Sequence, residues 1–157
     1  MAIVIVYDSI FGNTAQIATA IRDALATSHP VRLLAVTEAG GLDLPDVELL
    51  IVGSPTRGFR PTPATSEFIE GLDADKTVGR RAAAFDTRMS LDDIHPAPLR
   101  WVVDAGGYAA DRIAGMLAHK GTTPAGAPAG FYVGGTEGPL KPGEIERAKA
   151  WAKTLVG

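Results

Sequence analysis

Residues 5–14 read Ile5-Val6-Tyr7-Asp8-Ser9-Ile10-Phe11-Gly12-Asn13-Thr14, and the fold turns on how they are read. An apolar run from Ile3 to Tyr7 gives way to a small polar loop, and a helical pattern starts at Thr14. Strand, hydroxyl- and glycine-bearing loop, then helix start is the arrangement a buried phosphate needs. The first amides of a helix have no intrahelical acceptor, and the helix dipole adds positive potential at the same place. Ser9, Thr14 and the Asn13 amide add side-chain donors. No Lys or Arg lies between Ile3 and Ile17, so an anion held there would rest on neutral donors. The plainer reading is a strand–helix turn in which Asn13 or Thr14 caps the helix.

Outward from that stretch, strands alternate with helices. Residues 2–7 read as the first strand and 14–26 as a helix with Ile17, Ile21, Ala24 and Leu25 on one face. Residues 31–36, 48–53, 81–86 and 130–133 read as further strands. The last of these could extend backward across the irregular Thr123-Pro124-Ala125-Gly126-Ala127-Pro128. Helices are predicted over 64–72, 106–120 and 143–155, with Gly121 as a left-handed cap on the second of them. Residues 37–47 contain Gly40-Gly41 and Pro45 and are too few for a full crossover helix, so one turn is expected there. Strict alternation predicts a parallel sheet with helices on both faces.

The chain has 157 residues, a net charge of −3 and no cysteine. Its length suits one domain over 1–157, and its hydrophobic content of 46% with only 6% aromatic implies an aliphatic core. The charge and the lack of a basic cluster larger than Arg80-Arg81 give no reason to expect nucleic acid. Without cysteine there is no disulfide, thiolate chemistry or iron–sulfur cluster. No 18-residue apolar run reads as a membrane span, and the immediate entry into a strand points to a cytoplasmic protein.

The ten residues 5–14 match every specified position of a flavodoxin signature: two aliphatics, an aromatic, any residue, Ser or Thr, two free positions, a small residue, any residue, Thr. The chain therefore resembles the flavodoxin-like family. The resemblance implies a three-layer α/β sandwich around a five-stranded parallel sheet in the order 2-1-3-4-5, here with a reduced helix between strands two and three. It implies FMN as cofactor, with its phosphate in the loop Ser9, Ile10, Phe11, Gly12, Asn13 and Thr14. Ligands of such sheets bind beyond the C-terminal strand ends where the strand order reverses. Flavodoxins are themselves a standard instance of that rule, so this placement comes with the resemblance.

A second loop, Gly53 to Pro63, resembles the flavodoxin loop of type Gly-Ser-Pro-Thr. Pro55 and Gly58 shape the backbone so that amides near Thr56 to Gly58 could meet the flavin pyrimidine edge, and Phe59 could lie against the ring face. Arg57 or Arg60 could interact with the flavin N1–C2=O region or with a partner's acidic group. The third loop departs from the pattern. Asp86, Thr87 and Arg88 read either as a polar clamp on the flavin edge or as a structural ion pair. No Tyr falls between Tyr7 and Tyr108 to stack there, and Trp101 or His95 either substitutes or packs locally. Residues 89–104, with Asp92 and Asp93, read as an extended loop that could act as a lid. The loop Gly134 to Leu140 reads as a turn feeding the last helix. Asp8, beside the phosphate loop, is expected to point away or to accept a backbone N–H.

These readings favour an FMN-binding electron-transfer protein working with a redox partner protein or a small electron donor or acceptor. No catalytic acid, base or nucleophile is evident. The alternatives are an FMN-dependent NAD(P)H or quinone-type reductase or oxidase of the same fold, and a flavin-free regulatory module.

Overall fold

A computed structural model describes residues 2–40, 42, 46–57, 59–90 and 107–156. The elements are β1 (Ala2–Tyr7), α1 (Asn13–Leu25), β2 (Val31–Ala35), a 3-10 turn (Val36–Glu38) and β3 (Val47–Pro55). There follow α2 (Pro63–Glu70), the single-turn α3 (Ala74–Thr77), β4 (Arg81–Met89), α4 (Ala109–His119), β5 (Thr123–Pro124), β6 (Ala129–Val133) and α5 (Glu144–Thr154). The strand order is β2-β1-β3-β4-β5, with β6 also paired to β4, and every pairing between strands is parallel. The flavodoxin-like α/β architecture expected from the sequence is the one observed. Its fifth position is filled by two segments: β5 pairs with Arg81 and Ala82, and β6 with Phe85 to Met89.

Alternation along the strands divides the core. Ile3, Ile5, Leu49, Ile51, Ala83 and Phe85 face one way, onto Ile17, Ile21 and Leu25 of α1 and Ala148 and Ala152 of α5. Val4, Val6, Leu50, Val52, Ala82 and Ala84 face the other way, onto Ile69 of α2 and Ile113 and Leu117 of α4. Successive strand side chains point to opposite faces, so near-continuous apolar runs bury both. The aromatics gather in one place: Phe85, Phe131 and Trp151 meet edge to face at 6.0–6.3 Å. Trp151 is thus a packing residue, its indole N–H donating to the Ala127 carbonyl.

Three boundaries differ from the sequence reading in ways that matter. β3 and β4 run on to Pro55 and Met89, carrying loop residues into the sheet. Residues 107 and 108 precede α4, whose N-cap is Tyr108. Among the described residues, the connection after β2 holds the 3-10 turn Val36–Glu38 and has Asp46 in 3-10 conformation before β3. Residues 41 and 43–45, on which the expected single turn also bears, lie outside the described residues. Among the described residues no helix is long and apolar enough to cross a membrane.

Candidate functional site

The C-terminal ends of β1, β3, β4 and β6 converge on one crevice. Loop one begins at Asp8, whose N–H donates to the Gly53 carbonyl at 3.0 Å and so clips β1 to β3 beyond the last pair of the ladder. The Asp8 carboxylate accepts the Ser9 N–H at 2.9 Å and the Thr62 hydroxyl at 2.6 Å. It therefore organises the two loops instead of opposing an anion.

α1 is capped from a distance. Its N-cap is Gly12 at φ 92°, a left-handed conformation that glycine adopts without a Cβ penalty. Neither Asn13 nor Thr14 caps the helix, because both already lie inside its first turn. The Ser9 hydroxyl oxygen does that work, accepting the N–H groups of Gly12 and Ala15 at 3.1 and 3.3 Å. Its own proton is left to donate into the crevice. Among the described residues the amides of Ile10, Phe11, Asn13 and Thr14 have no acceptor.

The side chains of the first turn tie α1 across the sheet. The Thr14 hydroxyl lies 2.8 Å from that of Thr87 at the end of β4. The Asn13 amide donates to the Glu137 carbonyl at 3.1 Å, so the loop after β6 is part of the same construction. The loop after β3 is joined to β4 by the Thr56 N–H, which donates to the Thr87 carbonyl at 3.0 Å.

These residues enclose a cavity of about 120 Å³. Ser9, Ile10, Phe11, Asn13 and Thr14 line it from the loop after β1 and the start of α1, and Pro55, Thr56 and Arg57 from the end of β3 and the loop after it. Thr87 and Arg88 of β4 line it as well. Among the described residues no carboxylate lines it. Its volume is below the roughly 300–1,000 Å³ of a pocket that encloses a whole ligand, so anything much larger than a phosphate would extend over the rim. That rim carries the exposed Ile10 and Phe11, and the Arg57 guanidinium stands 5.9 Å from the Phe11 ring centroid.

Three further expected residues sit elsewhere. Gly12 shapes the helix start without lining the cavity. Phe59, at φ 70°, lies in the turn closed by the reciprocal Arg57–Arg60 backbone bonds and does not line the cavity. Asp86 is fully buried behind it. Gly58, His95, Trp101, Asp92 and Asp93 lie outside the described residues, as does most of the 89–104 segment. Sequence reasoning missed Met89, Val133 and Thr136, which also line the cavity.

Asp86 and Arg88 form a bidentate ion pair, both bonds 2.7 Å. Asp86 also accepts the Ala110 N–H at 2.9 Å, while the Thr56 hydroxyl accepts that of Ala109 at 3.0 Å. Together they satisfy the first two amides of α4. Burial pushes the Asp86 carboxyl above its ordinary value, and the bonds from Arg88, Ala110 and Thr56 offset only part of that. The Arg88 guanidinium lies 3.7 Å from the Tyr108 ring centroid. A Cβ on Gly130 would sit 2.2 Å from its Cζ, so a side chain there would displace the guanidinium. Asp86, Thr87 and Arg88 thus combine an internal ion pair with a cavity-lining hydroxyl and a cationic edge.

Fold and site together define a class: open parallel α/β sandwiches with a ligand crevice at the switch point of the sheet. Within that class the fold is flavodoxin-like. The chain is similar to a flavodoxin from the domain Archaea, with a TM-score of 0.71 and 18% identity over 100% of both chains. It is similar to Flavodoxin 2 from Bacillus cereus, with a TM-score of 0.71 and 20% identity over 99% of this chain and 98% of that one. It also matches 35% of rubredoxin oxygen:oxidoreductase from Desulfovibrio gigas, using 98% of its own length at a TM-score of 0.71 and 18% identity. No family model and no curated protein sequence matches it. At these identities the likeness is one of fold.

Proposed function

We propose that this chain binds FMN by its phosphate and serves in electron transfer. The observation that carries the reading is the set of four acceptor-less amides, Ile10, Phe11, Asn13 and Thr14, at the start of α1. Their residues line a cavity with no carboxylate among its described lining residues, and the Ser9, Thr14 and Thr87 hydroxyls line it too. That donor set fits a phosphate held by neutral groups. The exposed Phe11 and Ile10 supply apolar surface beside the cavity for a ring system. FMN, when bound, supplies the redox chemistry itself. The residues of this chain anchor, orient and tune it: Ser9 and Thr14 at the phosphate end, and Arg57 and Arg88 as nearby positive charge.

FMN titration against riboflavin tests the reading. Quenching of FMN fluorescence with saturation in the micromolar range is expected, with riboflavin at least tenfold weaker because it lacks the phosphate. Equal binding of the two, or none of either, sinks the proposal. A reductase reading draws on the two cations at the cavity, which suit an anionic reductant. Direct NADPH oxidation by the loaded protein would favour it over a carrier.

A further inference from the structure

A larger cavity than the one at the strand ends lies elsewhere among the described residues. A groove of about 690 Å³ runs between α2 and α4. Ile69 and Met116 contribute apolar lining, Arg60, Arg112 and Lys120 positive charge and His119 an imidazole, against Glu70 as the one acidic residue among the described lining. Positions 112, 115, 116 and 119 share one face of α4, by their 3–4 spacing. The Lys120 ammonium is fixed by the carbonyls of Glu70 and Leu72, both at 2.9 Å, and retains one donor. The Arg112 guanidinium is anchored on the Phe59 carbonyl at 2.6 Å. Arg60 and His119 have no side-chain partner among the described residues.

An independent observation concerns Gly115. It lies inside α4 and lines the groove, and a Cβ there would meet nothing within 4 Å. Glycine in a helix interior costs about 1 kcal/mol relative to alanine. Neither packing nor backbone conformation requires it here. Its effect is to deepen the groove between the cations.

We propose that the α2–α4 groove is a second ligand site, one that takes a phosphorylated small molecule of nucleotide size. Its volume falls in the range of ligand pockets, and an apolar floor with convergent cations suits an aromatic ring carrying phosphate. The site is separate from the crevice and does not depend on FMN binding there.

Calorimetry with ADP as the probe, joined to amide NMR shift mapping on the full chain, tests this. Saturable binding is expected, with shifts confined to residues 60–70 and 112–120. The Arg60→Gln/His119→Gln double variant should bind at least tenfold more weakly. Gly115→Leu should fill the groove and abolish binding while the helix becomes no less stable, with FMN affinity unchanged. Shifts centred on residues 9–14, full ADP affinity in Gly115→Leu, or no saturation at millimolar ADP would each overturn the proposal.

Discussion

The Thr14 and Thr87 hydroxyls meet at 2.8 Å across 73 residues of sequence, joining the first turn of α1 to the end of β4 over the intervening β3. Both side chains are buried at the floor of the crevice that they line. Thr87→Val keeps the shape and deletes one partner. It should lower unfolding free energy by about 1–3 kcal/mol, the range for a buried hydroxyl left unsatisfied. Thr14→Val/Thr87→Val should recover part of that loss. A urea double-mutant cycle showing strictly additive effects would contradict the bond.

The Asp86–Arg88 pair makes a prediction about pH. A carboxyl whose folded value is raised binds more protons when folded, so stability falls as pH rises from its ordinary 3.8 through the raised value. Removing the guanidinium widens that window. Arg88→Met should lose about 3–5 kcal/mol at neutral pH. It should recover part of that on acidification, as Asp86 takes up a proton. Denaturant midpoints across pH 4–8 (roughly the span in which such groups titrate) would show it. A pH-independent deficit would mean that Asp86 does not stay buried.

Gly130→Ala probes the same pair from the other side. Its Cβ would fall 2.2 Å from Arg88 Cζ, so the guanidinium must leave the Tyr108 face. The variant should reproduce the pH signature of Arg88→Met. Wild-type stability in Gly130→Ala would show that Arg88 has another place to go.

Glu144 carries the opposite sign. Burial alone would raise its carboxyl, but the Arg147 hydrogen bond, the Tyr132 N–H and the charges of Arg147 and Lys141 together hold it below its ordinary 4.5. Its stabilisation is present above pH 4.5 and is lost as pH falls through the lowered value. Glu144→Gln should destabilise by about 1.5–3 kcal/mol at neutral pH, the scale of hydrogen bonds to a charged group. It should also flatten the acid limb of the stability curve. An unchanged acid limb would remove Glu144 from the account.

How legible this molecule is from sequence varied along the chain for physical reasons. The strands were readable because both faces are buried and their apolar runs are nearly continuous. Ser9 to Thr14 and Pro55 to Arg57 stood out because small, hydroxyl and proline residues cluster just past the apolar strand runs, and all of them but Gly12 line the cavity. Asp86 was ambiguous because the partners that permit its burial are remote: Ala110 lies 24 residues on. Thr136 gave no signal, since its loop is tied to α1 by the contact of Asn13 with a backbone carbonyl, which any residue at position 137 presents, and Val133 reaches the cavity through its pairing with Met89 in the sheet. The single-turn α3 has a capping Asp73 but is too short for any periodicity. The groove beside Gly115 is a property of two helices at once and has no local pattern.

The interrupted fifth strand bears on how the molecule behaves in crowded solution. A continuous outer strand offers a row of unpaired amides and carbonyls on which another chain can add. Here that row is broken between Pro124 and Ala129, and Pro124 and Pro128 have no N–H to offer. The opposite margin, β2, is five residues long and projects the exposed Arg32. Neither margin presents a long flat template, so strand-on-strand aggregation has little to start from while the sheet is intact.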